Sequence, residues 1–477
     1  DYQGCNESAG RMSQLLIGDV LASSAARLPH AVAAWLDGEQ LTYAELAART
    51  AQLVPALAKA GVKRGDRIVW QADVSLEVIT LYFACARLGA VFVPLNPRYT
   101  SDESARIIAH ADPRLILGDS ASGHDSLQSV LSRNVGDPGR LETPQEDDAH
   151  VIFYTSGTTG EPKGCILSQR TQRLRAGNRS AWPQGGELCM FPQFHMAGWT
   201  RVLEHWVEGN EISYIRRADA DELLDTITRR RPRSIYCIPA VWQRIFEADK
   251  SAYDLSSLKI VDTGTSQVST ELLAGLADLF PVATTSIAYG STEGHLVCVA
   301  GPELGDRRAT TVGRPTPGVM LEIDESGELL VDSPYLFSGY FRNEAATAKA
   351  MAGGKYHTGD LAECDADGLY RIVGRAGDLI RTGGEAVAPP EVEAVLLRCP
   401  GVAEIAIVGM PDPVWGEIVT AFVVAGPGAE VSLEALRAFA ESHLAPHKLP
   451  RRLQQVDHLP RTAATGQIQR RLLVTAS

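Results

Sequence analysis

At 477 residues the chain exceeds what one hydrophobic core usually organises, so two or three domains are expected, at least one of them large. Hydrophobic residues at 45% and charged residues at 22% are ordinary for a folded globular protein and exclude the disordered and fibrous classes. The formal net charge of −13 argues against nucleic acid as a partner, because phosphate contacts need a basic surface; any nucleotide site must carry its own local positive charge.

The eight cysteines are scattered and form no CxxC pair, which reads as reduced thiols in a cytoplasmic protein. No apolar run approaches membrane-spanning length and no signal peptide is recognisable. The chain starts at Asp1 rather than methionine, so a few preceding residues are expected.

In chain order, Thr42 and Glu45 form a capping-box pattern opening a helix that runs to Ala60, with Pro55 in its middle. Gly61 to Asp66 turn the chain into a strand at 67–71. A helix over 76–88 stops at Gly89, a short strand follows at 91–95, and a helix at 101–111 leads to a strand at 115–117. Such alternation predicts mostly parallel, doubly wound sheets covered by helices. The polar segment 118–149 reads as a subdomain boundary, and 321–323 with 328–331 as an antiparallel hairpin in a β-rich subdomain. From about 377 the pattern changes to short strands and two helices, near 390–397 and 433–443. The expected architecture is therefore α/β: an N-terminal domain over 1–376 and a small, mobile α+β C-terminal domain over 377–477.

The strand at 151–154 runs into Thr155, Ser156, Gly157, Thr158, Thr159, Gly160, Glu161, Pro162, Lys163 and Gly164. Backbone N–H groups and hydroxyls of such a loop suit phosphate oxygens, and the lysine adds charge; the Walker spacing is absent. The run resembles the phosphate-loop signature of the superfamily of acyl-CoA synthetases, peptide-synthetase adenylation domains and luciferases. Further elements of that family follow in order. Tyr289, Gly290, Ser291, Thr292 and Glu293 resemble its YGxTE element, Tyr356 to Asp360 its YxTGD element, and Gly374, Arg375 and Asp378 its hinge. Pro460, Arg461, Thr462 and Gly466 resemble its C-terminal element, with one residue more between threonine and glycine.

The resemblance implies ATP-dependent activation of a small carboxylic acid to acyl-AMP, with pyrophosphate released and the acyl group passed to a nucleophile. It assigns Thr155, Ser156, Thr158 and Thr159 to the β- and γ-phosphates, Thr292 to phosphate, and Glu293 to Mg²⁺, a hard cation suited to carboxylate and phosphate oxygens. Asp360 is expected on the ribose diol, Arg375 beside it, and Tyr289 on adenine. His195, in a segment resembling FHxxG, is expected near the acid carboxylate. Trp199, Val202, Thr263, Gly264 and Thr265 are expected to line an apolar, aromatic acid pocket suited to aryl or medium-chain acids. For Trp199 a plain core position is the competing reading.

Three departures stand out. The family's last motif carries a catalytic lysine after glycine, and here Gly466 is followed by Gln467, which carries no charge; impaired adenylation is expected, whether the change is engineered or natural. Gly377 replaces the usual polar hinge residue, and Gln169 a frequent histidine. The segment from Asp378 to Glu385 favours coenzyme A as acceptor, with Gly383 and Gly384 near the pantetheine path, and no fused carrier domain is expected. An amide synthetase that uses an amine acceptor, and a catalytically silent acid- or nucleotide-binding protein, remain as alternatives.

Overall fold

The computed structural model describes residues 14–118, 123–134, 136–155, 163–177, 185–266, 268–382, 385–462 and 466–475. Among these, two large sheets organise the N-terminal part. A nine-stranded sheet runs in the order Arg314–Pro315, His295–Ala300, Ile287–Ser291, Ile260–Gly264, Ser234–Tyr236, Glu187–Cys189, Ile212–Tyr214, Val32–Leu36, Glu39–Thr42. A six-stranded sheet runs Gly339–Tyr340, Lys163–Ser168, Ala149–Thr155, Val91–Pro94, Arg67–Gln71, Leu115–Gly118. Their central strands are parallel, as the helix–strand alternation predicts.

The helix Tyr43–Lys59 opens on a complete capping box. The Thr42 hydroxyl accepts from the Glu45 N–H, and the Glu45 carboxylate accepts from the Thr42 N–H. Pro55 leaves the helix continuous, because Leu46, Leu53 and Leu57 bury one face against the core around it. The helix Glu77–Leu88 is buried nearly all round, packed against the helices Gly18–Arg27 and Tyr43–Lys59 and the strand Val91–Pro94; Gly89, in the left-handed region at φ 73°, ends it. The segment 118–149 is less irregular than its polarity suggests, since Leu127 and Val130 bury one side of the helix Leu127–Arg133.

The hairpin Met320–Ile323 with Glu328–Asp332 extends through Tyr356–Cys364 to Tyr370–Arg375, making a four-stranded antiparallel sheet. Beyond it, Ile380–Thr382, Glu385–Val387, Val402–Asp412, Gly416–Ala425 and Arg452–Gln455 form a five-stranded sheet flanked by the helices Pro389–Leu396 and Leu433–Ala440. This C-terminal part has its own cores, built from residues between Ile380 and Leu473, such as Ile407, Val419 and Leu436. Six of the seven free cysteines among the described residues are buried, and Cys364 is exposed. No helix among the described residues is long and apolar enough to cross a membrane.

Candidate active site

The strand Ala149–Thr155 and the antiparallel strand Lys163–Ser168 flank the glycine- and threonine-rich loop. Ser156, Gly157, Thr158, Thr159 and Gly160 lie outside the described residues, as do Gly383 and Gly384. Thr155 and Lys163, at the two ends of the loop, are paired across the strands. The Lys163 ammonium lies 5.1 Å from the centroid of the Tyr340 ring, and the Tyr340 hydroxyl donates to Glu293 Oε1 at 2.9 Å. Tyr340 thereby bridges the loop's lysine and the carboxylate expected to bind metal. Sequence reasoning missed it, because the bridge depends on Gly339–Tyr340 joining the edge of the six-stranded sheet.

Thr292 and Glu293 sit at the turn between Ile287–Ser291 and His295–Ala300. Gly290 is required in this hairpin: a Cβ there would meet the His295 carbonyl oxygen at 1.9 Å. The turn is gripped from behind by Arg175, whose side chain is buried. Its Nη1 donates to the Thr292 carbonyl and its Nη2 to the Glu293 carbonyl, each at 3.1 Å, and its Nε to the Tyr335 carbonyl at 2.9 Å. Burial lowers the guanidinium pKa to about 10, so it stays charged at neutral pH. Nothing in the local sequence around Arg175 announces this partnership across more than a hundred residues.

Asp360, Tyr289 and Arg375 are brought together. Asp360 is 6% exposed; its Oδ2 accepts from the Tyr289 hydroxyl at 2.6 Å, and its Oδ1 faces Arg375 Nε at 2.8 Å. Burial pushes the Asp360 carboxyl up, opposed by Arg375 and the Tyr289 hydroxyl. Each carboxylate oxygen keeps acceptor capacity beyond these contacts, which suits a diol.

His195 is half-buried, with Nδ1 accepting from the Ala197 N–H at 3.2 Å. Burial lowers its pKa to about 4, so the ring is neutral at pH 7 and carries its proton on Nε2. Four residues on, in the first turn of the helix Ala197–Glu208, Trp199 is 1% exposed: its indole N–H donates to the Gln193 carbonyl at 2.6 Å and its ring stacks on Tyr82 at 4.3 Å. Trp199 is thus held within the core, with Val202 fully buried beside it.

Thr263, Gly264 and Thr265 end the central strand Ile260–Gly264. A Cβ on Gly264 would lie 2.2 Å from the Ala288 carbonyl oxygen and 2.6 Å from the Tyr236 hydroxyl, so the neighbouring strand and ring need glycine there. Thr265 holds a left-handed φ of 66°, an unfavourable conformation for a β-branched residue. The Thr263 and Thr265 hydroxyls are buried without hydrogen-bond partners. From the C-terminal part, Gln467 Nε2 donates to the Thr265 carbonyl at 3.0 Å. The Thr462 hydroxyl steadies the Gln467 N–H, and Arg461 binds the Gly466 carbonyl.

Arg201, which follows Trp199 and faces the same strands, was not among the expected site residues. Its guanidinium pairs with Glu187 and Asp262, each at 2.8 Å. Burial would raise the Glu187 pKa, but Arg201 and His205 more than reverse this and bring it to about 2. The arginine's charge is therefore matched by two carboxylates. Gln169 also acquires a role: its buried side chain accepts from the Ile17 N–H and donates to the Ala86 carbonyl, tying the N-terminal segment to the helix Glu77–Leu88. No cluster of three or more metal-ligating side chains occurs among the described residues, so Glu293 would hold Mg²⁺ only together with phosphate oxygens.

Residues 21–341 match the AMP-binding enzyme family, and residues 391–465 match the AMP-binding enzyme C-terminal domain. A feruloyl-CoA synthase from an Amycolatopsis species is 30% identical over 478 residues, covering 93% of this chain and 96% of the relative. Among solved structures, the ATP-bound RpMatB-BxBclM chimera superposes with a TM-score of 0.89 at 27% identity, covering 97% of this chain and 99% of that one. The amide bond synthetase McbA from Marinactinospora thermotolerans gives a TM-score of 0.84 at 27% identity, covering 96% and 99%.

Proposed function

The chain belongs to the family of AMP-binding, adenylate-forming acid ligases, and from that premise we propose that it activates an aryl carboxylic acid with ATP and passes the acyl group to coenzyme A. The observation that carries the reading is Gln467 reaching the Thr265 carbonyl from the C-terminal part. It brings the family's last motif onto the strand end where the acid carboxylate and the α-phosphate would meet.

In the first half-reaction a carboxylate oxygen attacks the α-phosphorus, the bond to the β-phosphate bridging oxygen breaks, and pyrophosphate leaves. Lys163, Thr292 and the threonine-rich loop hold the departing phosphates, and Asp360 with Arg375 and Tyr289 hold the nucleoside. Neutral His195 can donate its Nε2 proton as a hydrogen bond to the acid carboxylate without adding charge. Glu293, steadied by Tyr340 and by Arg175 through its backbone, would hold Mg²⁺, which supplies charge neutralisation for the phosphates. In the second half-reaction the thiolate attacks the acyl carbon and AMP leaves with the former carboxylate oxygen. Gln467 supplies hydrogen bonds where the family uses a cation, so adenylation is the weakened step.

The aryl preference is supported by the stacked rings of Phe191 and Tyr236, the latter with its hydroxyl beside Gly264 at the strand end. The double pairing of Arg201 leaves no surplus cation for a second carboxylate. We assign the nucleotide and acid sites to 1–376 and a mobile closing domain to 377–477. The test is pyrophosphate release with aryl, aliphatic, dicarboxylic and amino acids, followed by mass spectrometry of products formed with coenzyme A or with amines. Aryl-CoA as the dominant product is expected. Amides alone would reassign the acceptor, preference for amino acids would overturn the acid class, and nucleotide binding without turnover would mark a silent binding protein.

A further inference from the structure

Gln467 sits on a narrow ribbon whose two sides are residues 460–462 and 466–469. The Thr462 N–H donates to the Gln467 carbonyl and the Gln469 N–H to the Pro460 carbonyl, each at 2.8 Å, and Arg461 pairs with Ile468 across it. Two short strands are marginal by themselves, so the direction of the ribbon is set by whatever holds its base. On one side Arg461 joins the Gly466 carbonyl to Glu404. Immediately after the ribbon stands Arg470, which the proposed chemistry does not use. Arg470 is the junction of four segments: the ribbon, the helix Pro389–Leu396, the strand Val402–Asp412 and the turn Ala376–Asp378. Its Nη2 donates to both carboxylate oxygens of Glu393 at 2.8 Å, its Nε to the Ile407 carbonyl at 3.2 Å, and its Nη1 to Asp378 Oδ2 at 3.5 Å. Glu393 is itself fixed, since its Oε1 also accepts from the Ile407 N–H at 2.8 Å. With side chains 21% and 15% exposed, Arg470 and Glu393 are better shielded from water than an ordinary surface ion pair. The backbone that carries Arg470 is anchored as well, because Leu473 packs with Val408, Phe422 and Leu459.

Asp378 adjoins Gly377, the pivot expected between the two parts. The pivot is unbraced: none of Ala376–Asp378 is buried, and a Cβ on Gly377 would meet no atom within 4 Å. Stiffness there has to come from a contact made beside it. A guanidinium suits that task, because its planar fork serves several acceptors at once, whereas an ammonium is a point charge. From Arg470 back to Gln467 is three residues, about 10 Å of extended chain.

We infer that Arg470 is a positioning residue for acyl-AMP formation: by tying the base of the Gln467 ribbon to Asp378 beside the pivot, it fixes where Gln467 arrives at the Thr265 carbonyl. This rests on the reading above that the Gln467 loop serves the first half-reaction. A loosened ribbon costs rate only in the step for which Gln467 must be in place, so transfer from acyl-AMP is indifferent to Arg470.

The test compares the wild-type chain with Arg470→Lys, which keeps a charge opposite Glu393 but cannot span all three partners, with Asp378→Asn, which removes only the charge beside the pivot, and with the double variant. Each is expected to slow acyl-AMP formation, Arg470→Lys by roughly tenfold, at unchanged KM for ATP. Transfer from preformed acyl-AMP to the acceptor is expected to keep its wild-type rate, and the double variant to be no slower than Arg470→Lys, because both changes break one contact. Hydrogen exchange without ligands should quicken at the Thr462, Gln467 and Gln469 amides of Arg470→Lys and hold along Val402–Asp412. Equal slowing of both half-reactions, or faster exchange throughout the C-terminal part, marks a merely structural role and overturns the inference. Unchanged acyl-AMP formation in both single variants overturns it too. If Arg470→Lys fails to fold, Asp378→Asn decides by the same comparison of the two half-reactions. A wild-type chain that forms acyl-AMP with no acid refutes the functional reading instead, and the exchange measurement, which needs no substrate, still tests the tether.

Discussion

Arg175 shows how much of a site can rest on one buried side chain. It donates to three backbone carbonyls and fixes the turn that presents Thr292 and Glu293. Arg175→Gln should remove a charge and leave carbonyls unpaired in the interior, costing about 3 kcal/mol of stability; a urea midpoint that does not fall would contradict this. A second residue sets an acid limit. His150 is fully buried, and burial lowers its pKa from 6.5 to about 4. Between those values the unfolded chain binds a proton that the folded chain refuses, so stability is full above pH 6.5 and falls as pH drops towards 4. The contribution is about 3 kcal/mol. His150→Gln should flatten the stability–pH curve in that window, and an unchanged slope measured by denaturant titration would assign the acid loss to other groups.

At the scale of elements, what the sequence made legible was local. The capping box at Thr42 and Glu45, the glycine stop at Gly89 and the strand at Arg67–Gln71 all depend on neighbours a few residues apart, and all are present as expected. The candidate site was legible where family motifs kept Asp360, Tyr289 and Arg375 recognisable. Arg175, Arg201, Tyr340 and Gln169 were not, because each acts through partners supplied by the fold. The helix Leu127–Arg133 was hidden by the polar residues on its outer face. The strand end at Gly264 is the element most sensitive to change. Gly264→Ala should cost about 2 kcal/mol and raise KM for the acid, because the new methyl group meets the Ala288 carbonyl and the Tyr236 hydroxyl. Calorimetric melting together with acid titration measures both, and unchanged values would show that the neighbouring strand can retreat.

At the scale of the whole molecule, the C-terminal part has its own core yet reaches the N-terminal site through Gln467. If that loop serves only adenylation, Gln467→Lys should accelerate acyl-AMP formation roughly tenfold or more by restoring a cation beside the transition-state phosphate. Transfer from preformed acyl-AMP to the acceptor should stay unchanged. Pre-steady-state kinetics of the two halves separates the steps, and equal gains in both would contradict the division of labour. The claim beneath all of these is that the acid's own oxygen attacks the α-phosphorus. Turnover of an aryl acid carrying ¹⁸O in both carboxylate positions, with ATP and coenzyme A, tests it by mass spectrometry. The account predicts one ¹⁸O in the AMP; unlabelled AMP, or ADP with ¹⁸O in inorganic phosphate, would contradict it.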